Sequence, residues 1–396
     1  MIFIYLPFAV LLVYFSIKSF QGGSEYLEYF KKELAKPVSD HIPFATVIVP
    51  CKGLDEGLRE NLEAVMAQNY PSYEVVFVVD DANDRAMGAI EDVCLEGAVS
   101  TKAIVAPLAI ESGQKVENLR EAVLHADERS EVFVFLDSDA RPTKDWLRAL
   151  VAAVEDKSIG AATGYRWFVA EETDLATELR SAWNASIASA LGPDTGSNFC
   201  WGGSTAMRRE VFERLDIRDK WRGTLSDDFV VTRILKEAGL PIWFVPQAIV
   251  ASAGRCSAAG LFEFTNRQMK ITRVYARDLW LKSFFGSGLF NGVMAASILI
   301  VTVSSYGTLL WVSGLLTLIC VAGLSLGKAW LRTRAIRLVL SFAAVERQLA
   351  SQMILTLFTP LIFLVNCFAA LFSATISWRG TEYTMISSSV TKLRRH

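Results

Sequence analysis

Apolar residues form long uninterrupted runs towards both ends of the chain. Residues 1–17 carry no charged side chain, and neither do residues 284–327 or 349–378. A helix that crosses a bilayer needs about 20 apolar residues, so the second run predicts a transmembrane hairpin of two helices. The first run lacks the basic start and the cleavage site of a secretion signal, and it predicts a short membrane anchor. The third run is broken by Pro360 and predicts a further membrane segment.

Short apolar strands alternate with amphipathic helices between these runs. The strands are predicted at 46–50, 74–79, 102–105 and 131–136, and the helices at 56–68, 84–95, 116–127 and 144–155. Strands that are apolar on both faces and separated by helices are typical of a parallel sheet that is covered on both sides. Residues 40–283 are therefore predicted to form an α/β domain that binds its ligand beyond the carboxyl ends of the strands.

Basic residues follow each of the apolar runs. Lys31, Lys32 and Lys36 come after the first run, residues 328–348 form a basic segment, and residues 379–396 form a basic tail. Because positive charge marks the cytoplasmic side of membrane proteins, we expect a multi-pass protein with a cytoplasmic α/β domain, at the inner membrane if it is bacterial. The last segment stays open: one span would place the tail outside, and a re-entrant helix would keep it inside.

Composition argues against several classes of site. The formal net charge of −2 gives no bulk basic character for binding nucleic acid. The six cysteines lie far apart and form no CxxC pair, which disfavours a disulfide framework and a zinc site. Histidine occurs only as His41, His125 and His396, so a metal ion would have to be held by carboxylates.

Three acidic clusters are the best candidates for chemistry. Asp80-Asp81 and Asp137-Ser138-Asp139 each follow an apolar strand, and Asp227-Asp228 opens a helical stretch. Two aspartates separated by one small residue can present oxygens to Mg²⁺ or Mn²⁺ and leave positions open for phosphate. A carboxylate in the third cluster could act as a general base. The alternative is that these aspartates cap helices, which is common for a single Asp and less so for the Asp137–Asp139 pair.

Other residues gain interest from their positions next to these clusters. Lys52 follows the first strand, Lys115 precedes a helix, and Arg267 and Lys270 lie on one predicted helix. Each of these cations could contact a diphosphate. Each could instead be a solvated loop residue or, for the helical pair, lie at the lipid interface. Trp201 precedes Gly202 and Gly203, where the backbone could approach a sugar closely. A buried Trp beside a tight turn explains the same pattern.

The order of the motifs resembles the nucleotide-sugar glycosyltransferases of the GT-A (Rossmann-like) fold and, within them, the ceramide glucosyltransferases. The matching stretches are residues 49–53, 61–63, 70–75, 80–81, 113–119, 137–139, 203–209, 227–229, 267–271 and 378–383. This resemblance covers nearly the whole chain. It implies a GT-A domain flanked by transmembrane helices, with a UDP-sugar as donor and a membrane lipid as acceptor.

The resemblance also implies roles for particular residues. Asp80 or Asp81 would hold the uridine, Asp137 and Asp139 the metal and diphosphate, and Asp228 would be the base. Lys52, Lys115, Arg267 and Lys270 would assist donor binding, Asp227 would support catalysis, and Trp201, Gly203 and Ile271 would lie on the acceptor side. This sequence departs from the family's (Q/R)xxRW motif: Arg267 fills the first position, but Lys270 replaces the second Arg and Ile271 replaces the Trp. Lysine lacks the planar fork with which arginine grips phosphate, and isoleucine cannot stack on a sugar. The departure therefore affects the identity of the acceptor more than the type of reaction.

The expected reaction is inverting transfer of a hexose, most simply glucose from UDP-glucose, onto a lipid hydroxyl such as that of ceramide. A processive polysaccharide synthase would use the same three acidic clusters, but it needs more membrane spans and a stacking aromatic. A membrane-tethered protein that binds a nucleotide sugar without catalysis is the other alternative. It would need a degraded acidic cluster, and all three are intact.

Overall fold

The computed structural model describes residues 2–37, 39–97, 99–169, 174–341 and 343–395. The described residues divide into two units. The first, here called the helical unit, lies within residues 1–31, 171–189 and 256–373. The second, called the sheet unit, lies within residues 32–170, 190–255 and 374–396.

The strands all belong to the sheet unit. They are β1 (Ala45–Pro50), β2 (Tyr73–Val79), β3 (Ser100–Val105), β4 (Val132–Leu136), β5 (Ala161–Thr163), β6 (Arg166–Phe168), β7 (Ser204–Arg208), β8 (Ile242–Phe244), β9 (Val250–Ser252), β10 (Thr375–Trp378), β11 (Thr381–Ser387) and β12 (Val390–Arg395). The main sheet has the order β3-β2-β1-β4-β7-β5-β8. Every residue of β2 and β4 is buried, as expected for strands with apolar side chains on both faces.

One strand of the main sheet departs from the predicted parallel arrangement. Strands β1 to β4 pair in parallel, but β7 runs antiparallel between β4 and β5. Its sequence, Ser204–Arg208, is short and carries hydroxyl groups, so it has no continuous apolar run to identify it. The sheet is therefore mixed, although most of its pairs are parallel.

The helices begin and end close to their predicted bounds in the sheet unit. The α-helices of both units are α1 (Ile2–Leu34), α2 (Leu58–Met66), α3 (Ala86–Glu96), α4 (Gln114–Ala122), α5 (Trp146–Ala153), α6 (Leu175–Ala188), α7 (Arg209–Arg214), α8 (Ile217–Lys220), α9 (Asp227–Glu237), α10 (Ala258–Tyr275), α11 (Arg277–Val303), α12 (Leu309–Ile336), α13 (Ala343–Arg347), α14 (Leu349–Leu355) and α15 (Thr359–Phe372). The side chains of Ser226, Ser257 and Thr308 accept backbone N–H groups at the starts of α9, α10 and α12.

The first helix is longer than the predicted anchor at residues 1–17. Helix α1 continues to Leu34, because aromatic side chains beyond the apolar run are still packed in the interior. Tyr26 and Phe30 lie one turn apart, are buried, and have ring centroids 4.5 Å from each other. The charged residues that end the apolar pattern therefore do not end the helix.

Three described helices are long and apolar enough to cross a membrane: α1, α11 and α12. The bent pair α14 and α15, with an angle of 57° between them, would add a fourth if it forms one span. Large apolar side chains point outwards from α11 and α12, for example Leu299 (60% exposed) and Ile319 (59%). Such surfaces fit a hydrocarbon environment and support membrane association.

The three candidate spans pack on one another through a core of their own. Tyr5 and Leu12 of α1 join Val293 and Ile300 of α11 and Val321 of α12 in one buried cluster. The hydroxyl groups of Tyr5 and Ser297 lie 2.8 Å apart within it. This pairing satisfies two polar groups that lipid could not satisfy.

The end of the chain differs from the expected membrane segment at 349–378 followed by a basic tail at 379–396. Helix α15 ends at Phe372, and β10, β11 and β12 form an antiparallel sheet. The uncharged run misled the prediction, because Thr375–Trp378 is apolar enough to extend a span but pairs with Thr381–Thr384 instead. Arg379 and Gly380, both with positive φ, form the tight turn.

Candidate active site

The candidate site lies in the sheet unit, at the carboxyl ends of β1, β2 and β4. Lys52 follows β1, Asp80 follows β2, and Asp137 follows β4. These strands are neighbours in the order β2-β1-β4, so the sheet itself places the three side chains at one edge. The edge is the one that the sequence predicts.

Asp80 and Asp81 have different surroundings. Asp80 is buried, forms an ion pair with Lys52, and keeps its Oδ1 atom buried without a hydrogen-bond partner among the described residues. Asp81 is exposed, and its Oδ1 accepts the Asn83 backbone N–H at 2.9 Å. Asp80 is therefore suited to meeting a ligand, whereas Asp81 stabilises a local turn.

Lys115 joins two of the acidic clusters. Its Nζ atom lies 2.7 Å from Asp137 Oδ1 and 3.4 Å from Asp227 Oδ1. Lys115 lies in the first turn of α4, and Asp227 is the first residue of α9, so the two helix starts face the end of β4. All three side chains are largely buried, and their mutual pairing offsets the cost of removing the charges from water.

Arg166 is a component of the site that sequence reasoning missed. Its Nη2 atom lies 3.1 Å from Asp137 Oδ2, and its Nη1 atom lies 3.0 Å from Asp139 Oδ2. The guanidinium also lies over the ring of Trp201, 4.7 Å from its centroid. In the sequence, Arg166 is a single charged residue between Tyr165 and Trp167, and this pattern does not indicate which distant residues it will contact.

The Trp201-Gly202-Gly203 segment packs against the acidic groups. A Cβ atom on Gly202 would collide with Asp227 Oδ2, and one on Gly203 would lie 2.6 Å from Asp137 Oδ2. Trp201 is buried, and its ring lies 5.5 Å from that of Tyr165. Trp201 is therefore buried, and the glycines allow a close approach to the two carboxylates. The approach of a sugar to this backbone stays a prediction.

We expect Gly202→Ala to reduce activity by about 10²-fold, because the added methyl group must displace the Asp227 carboxylate and its Lys115 partner. A Cβ there would lie 3.1 Å from Lys115 Nζ. Gly192→Ala is the matched control, since a Cβ at Gly192 has no heavy atom within 4 Å. Both variants should keep the wild-type melting temperature within a few degrees. Equal activity of the two variants would contradict this account of the glycine.

Asp227 and Asp228 point to different partners. Burial raises the pKa of Asp227 to about 6, although Lys115 opposes the rise. Burial disfavours the charge on Lys115, but the carboxylates of Asp137 and Asp227 outweigh it and raise the Lys115 pKa. Asp228 Oδ1 accepts hydrogen bonds from Ser226 Oγ and from the Phe229 backbone N–H. Asp228 Oδ2 makes no hydrogen bond with the residues described.

The small C-terminal sheet contacts the same region of the sheet unit. Arg379 forms an ion pair with Asp55, and Asp55 Oδ2 accepts a hydrogen bond from Ser138 Oγ at 3.3 Å. The Gln114 backbone N–H donates to the Tyr383 hydroxyl at 3.3 Å, at the start of α4. The C-terminal sheet, at the position of the predicted tail, therefore contacts the loop that carries Asp137 and Asp139 and the helix that carries Lys115.

The predicted site residues fall into two groups. The sheet unit contains Lys52, Asp80, Asp81, Lys115, Asp137, Asp139, Trp201, Gly203, Asp227 and Asp228, and ion pairs join Lys52 with Asp80 and Lys115 with Asp137 and Asp227. Arg267, Lys270 and Ile271 lie on α10 in the helical unit, and their contacts with a donor or acceptor stay predictions. Among the described residues, no group of three or more His, Cys, Asp or Glu side chains is arranged to hold a metal ion.

A model of the family described as "Glycosyl transferase family 21" matches residues 10–389. The chain belongs to glycosyl transferase family 21. Its mixed, mostly parallel sheet with covering helices and its long apolar helices confirm the predicted α/β class with candidate transmembrane helices. The match also confirms the broader expectation that the chain belongs to a glycosyltransferase family.

Two curated relatives of this family 21 chain differ in how much of it they cover. Hyaluronan synthase of Streptococcus pyogenes is 28% identical over 300 residues, which is 71% of this chain and 65% of the synthase. The chain thus matches just under two thirds of that relative's length. Ceramide glucosyltransferase of Komagataella phaffii is 29% identical over 73 residues, which is 18% of this chain and 14% of the relative.

Two solved structures are similar to this chain, with lower sequence identity than the curated relatives. Mannosyltransferase PcManGT from Pyrobaculum calidifontis, in complex with GDP-Man and Mn²⁺, has a TM-score of 0.48 and 20% identity, covering 92% of this chain and 97% of that one. GalNAc-T7 with UDP, GalNAc and Mn²⁺ has a TM-score of 0.42 and 16% identity, covering 56% of this chain and 45% of that one.

Proposed function

We propose that this protein is an inverting hexosyltransferase that moves a hexose, most simply glucose from UDP-glucose, onto the hydroxyl group of a membrane lipid such as ceramide. The observation that carries the proposal is the cluster of Asp137, Asp139 and Asp227 around Lys115 and Arg166 in a family 21 chain. The cluster combines two carboxylates that could hold a cation with two positively charged side chains near the expected diphosphate, and Asp228, the proposed base, directly follows Asp227 in the chain.

Donor binding would use the edge of the sheet on both sides of β1. Asp80 Oδ1, buried and without a partner among the described residues, is suited to accept a hydrogen bond from the nucleoside. Lys52 holds the other oxygen of Asp80 and fixes its orientation. Lys115 and Arg166 place positive charge at this edge of the sheet, and since both already pair with carboxylates, they would meet a diphosphate with their remaining N–H groups.

Asp137 and Asp139 would hold Mg²⁺ or Mn²⁺. The fit rests on Asp139 Oδ1, a buried oxygen with no hydrogen-bond partner among the described residues, which a hard cation would satisfy. When bound, such a cation would offset the negative charge of the diphosphate leaving group. Lys115 and Arg166 pair with both oxygens of Asp137 and with the other oxygen of Asp139, so Asp137 would join the cation only if one of these ion pairs opens when the donor binds.

Asp228 would take the proton from the acceptor hydroxyl as its oxygen attacks the anomeric carbon. The attack comes from the face opposite the diphosphate, and the sugar–phosphate bond breaks as the new glycosidic bond forms. Ser226 Oγ and the Phe229 N–H hold Asp228 Oδ1, which orients the carboxylate, and Oδ2 is left for the acceptor. The Asp227 carboxylate would keep Lys115 in place beside Asp137.

The acceptor would be a lipid presented at the cytoplasmic face of the membrane. Three candidate spans, or four with the bent pair, would anchor the enzyme where a membrane lipid is concentrated. Ile271 stands where the family motif has a tryptophan, and an aliphatic side chain suits an acyl chain better than a sugar. The cytoplasmic position is part of the proposal and follows from the basic segments.

A processive polysaccharide synthase is the second candidate, and one observation favours it. The match to hyaluronan synthase covers far more of this chain than the match to ceramide glucosyltransferase. Against it, a pore for a polar chain must shield that chain from lipid, and the described candidate spans are few for this purpose.

Membranes that contain the full-length protein, incubated with radiolabelled UDP-sugars, distinguish these products. We expect label from UDP-glucose in the organic lipid extract, on a product of one or a few sugars. Membranes with the Asp137→Asn, Asp139→Asn variant are the control for other transferases. Label confined to insoluble, lipase-resistant polymer would refute the glycolipid proposal and support the synthase. No transfer from any UDP-sugar, with donor binding retained, would indicate a binding protein without catalysis.

A further inference from the structure

The helical unit contains a cavity of about 350 Å³ that is lined by side chains of α1, α6, α11, α12 and α15. Part of the lining is apolar, with Leu12, Phe15, Phe290, Leu324 and Phe363. Serine and threonine hydroxyl groups make up much of the rest. The cavity therefore offers an apolar surface and a hydrogen-bonding surface side by side.

Three cations also line the cavity: Lys282, Lys328 and Arg332. None of the described residues that line it carries a carboxylate. Lys328 Nζ donates to Ser19 Oγ at 2.9 Å, a neutral partner that leaves its charge uncompensated. An apolar cavity with several positive charges and no negative one favours an anionic ligand.

Arg332 is the strongest single indication of that ligand. The residue is only 2% exposed, and its Nε atom has no hydrogen-bond partner among the described residues. Its Nη2 atom reaches Gln352 Oε1 at 3.4 Å, again a neutral group. A buried guanidinium without an anion is costly, so the fold would retain it more readily if an anion occupies the cavity.

The cations lie at one end of the candidate spans. Lys282 is near the start of α11, whereas Lys328 and Arg332 are near the end of α12, and a short turn at 304–308 joins the two helices. The start of the first helix and the end of the second therefore lie on the same side of the hairpin. Positive residues at the ends of membrane helices are at the depth of lipid phosphates.

We propose that this cavity is a binding site for an anionic phospholipid. The lipid phosphate would lie against Lys282, Lys328 and Arg332, which are the main donors, because most of the lining serine and threonine hydroxyl groups donate to nearby backbone carbonyls. An acyl chain would lie along the apolar side chains of α1, α11 and α12. The site is separate from the chemistry of the carboxylate cluster, and its occupancy does not depend on which sugar is transferred.

Native mass spectrometry of the full-length protein from nanodiscs tests this proposal. Nanodiscs of phosphatidylcholine alone are compared with nanodiscs that also contain phosphatidylglycerol, which supplies an anionic headgroup. We expect one phosphatidylglycerol to stay bound per chain, with at least about tenfold preference over phosphatidylcholine, because three cationic side chains line the cavity. The Lys282→Gln, Lys328→Gln variant should lose this preference about tenfold or more.

Arg334→Gln is the matched control, because Arg334 is exposed on the same helix and lies over Trp330 outside the cavity lining. It should bind phosphatidylglycerol as the wild type does. The double lysine variant leaves the buried Arg332 intact, so folding is expected to be retained, and the melting temperature verifies it. Equal retention of both lipids, or unchanged retention by the lysine variant, would overturn the proposal. So would displacement of the lipid by millimolar inorganic phosphate, which would indicate a site for a free anion.

Discussion

The Asp137→Asn, Asp139→Asn variant is expected to lose transfer activity by on the order of 10³-fold or more. The two substitutions keep the size of both side chains but remove the charges that would hold the cation and orient Lys115 and Arg166. EDTA should abolish the activity of the wild type, and Mn²⁺ or Mg²⁺ should restore it. The measurement is transfer of labelled sugar by purified protein at a saturating UDP-sugar concentration.

A control of equal charge loss separates this effect from a general change in electrostatics. Asp92→Asn with Glu96→Gln removes two exposed carboxylates that pair with Arg59 on the same unit. Exposed ion pairs of this kind contribute little to stability, so this variant should keep both fold and activity. Full activity of the Asp137/Asp139 variant, or of the wild type in EDTA, would contradict the metal proposal.

Asp228→Asn should lower the rate of transfer by on the order of 10²–10⁴-fold, the range for removal of a general base. Asparagine can still accept a hydrogen bond from Ser226 through its carbonyl oxygen, so the loop geometry is largely kept. Binding of the UDP-sugar, measured by calorimetry, should change little, because the base acts on the acceptor. A loss confined to the donor Kd would instead assign Asp228 to binding.

Asp227→Asn provides the comparison that assigns the two neighbouring carboxylates. Burial raises the pKa of Asp227 to about 6, so its carboxylate forms only as the pH rises through that value. If the ionised form is needed to hold Lys115, wild-type activity should fall about tenfold per pH unit below pH 6 and level off above it. Asp227→Asn should lack this acidic limb. An inactive Asp227→Asn beside a normal Asp228→Asn would show that the roles are exchanged.

Local sequence patterns determined the central strands and the acidic clusters. The runs at β1, β2 and β4 are short and mostly apolar on both faces, as in buried strands of a parallel sheet, and the polar residue that follows each run lies at the edge of the sheet. The same reasoning identified the apolar helices, because a bilayer requires a long continuous apolar run. In these cases the information lies within a few consecutive residues.

Only the tertiary structure decided which distant segments meet. Arg166 reaches Asp137 and Asp139 across the chain, and the ion pair of Asp55 with Arg379 joins the two ends of the sheet unit. A single charged residue has many possible partners, and the sequence does not say which one the fold will bring within 3 Å. The antiparallel β7 and the C-terminal strands were missed for a related reason. None of them has the continuous apolar run of the central strands: β7 is short and carries hydroxyl groups, and β11 alternates buried and partly exposed positions, so only the pairing with neighbouring strands identifies them.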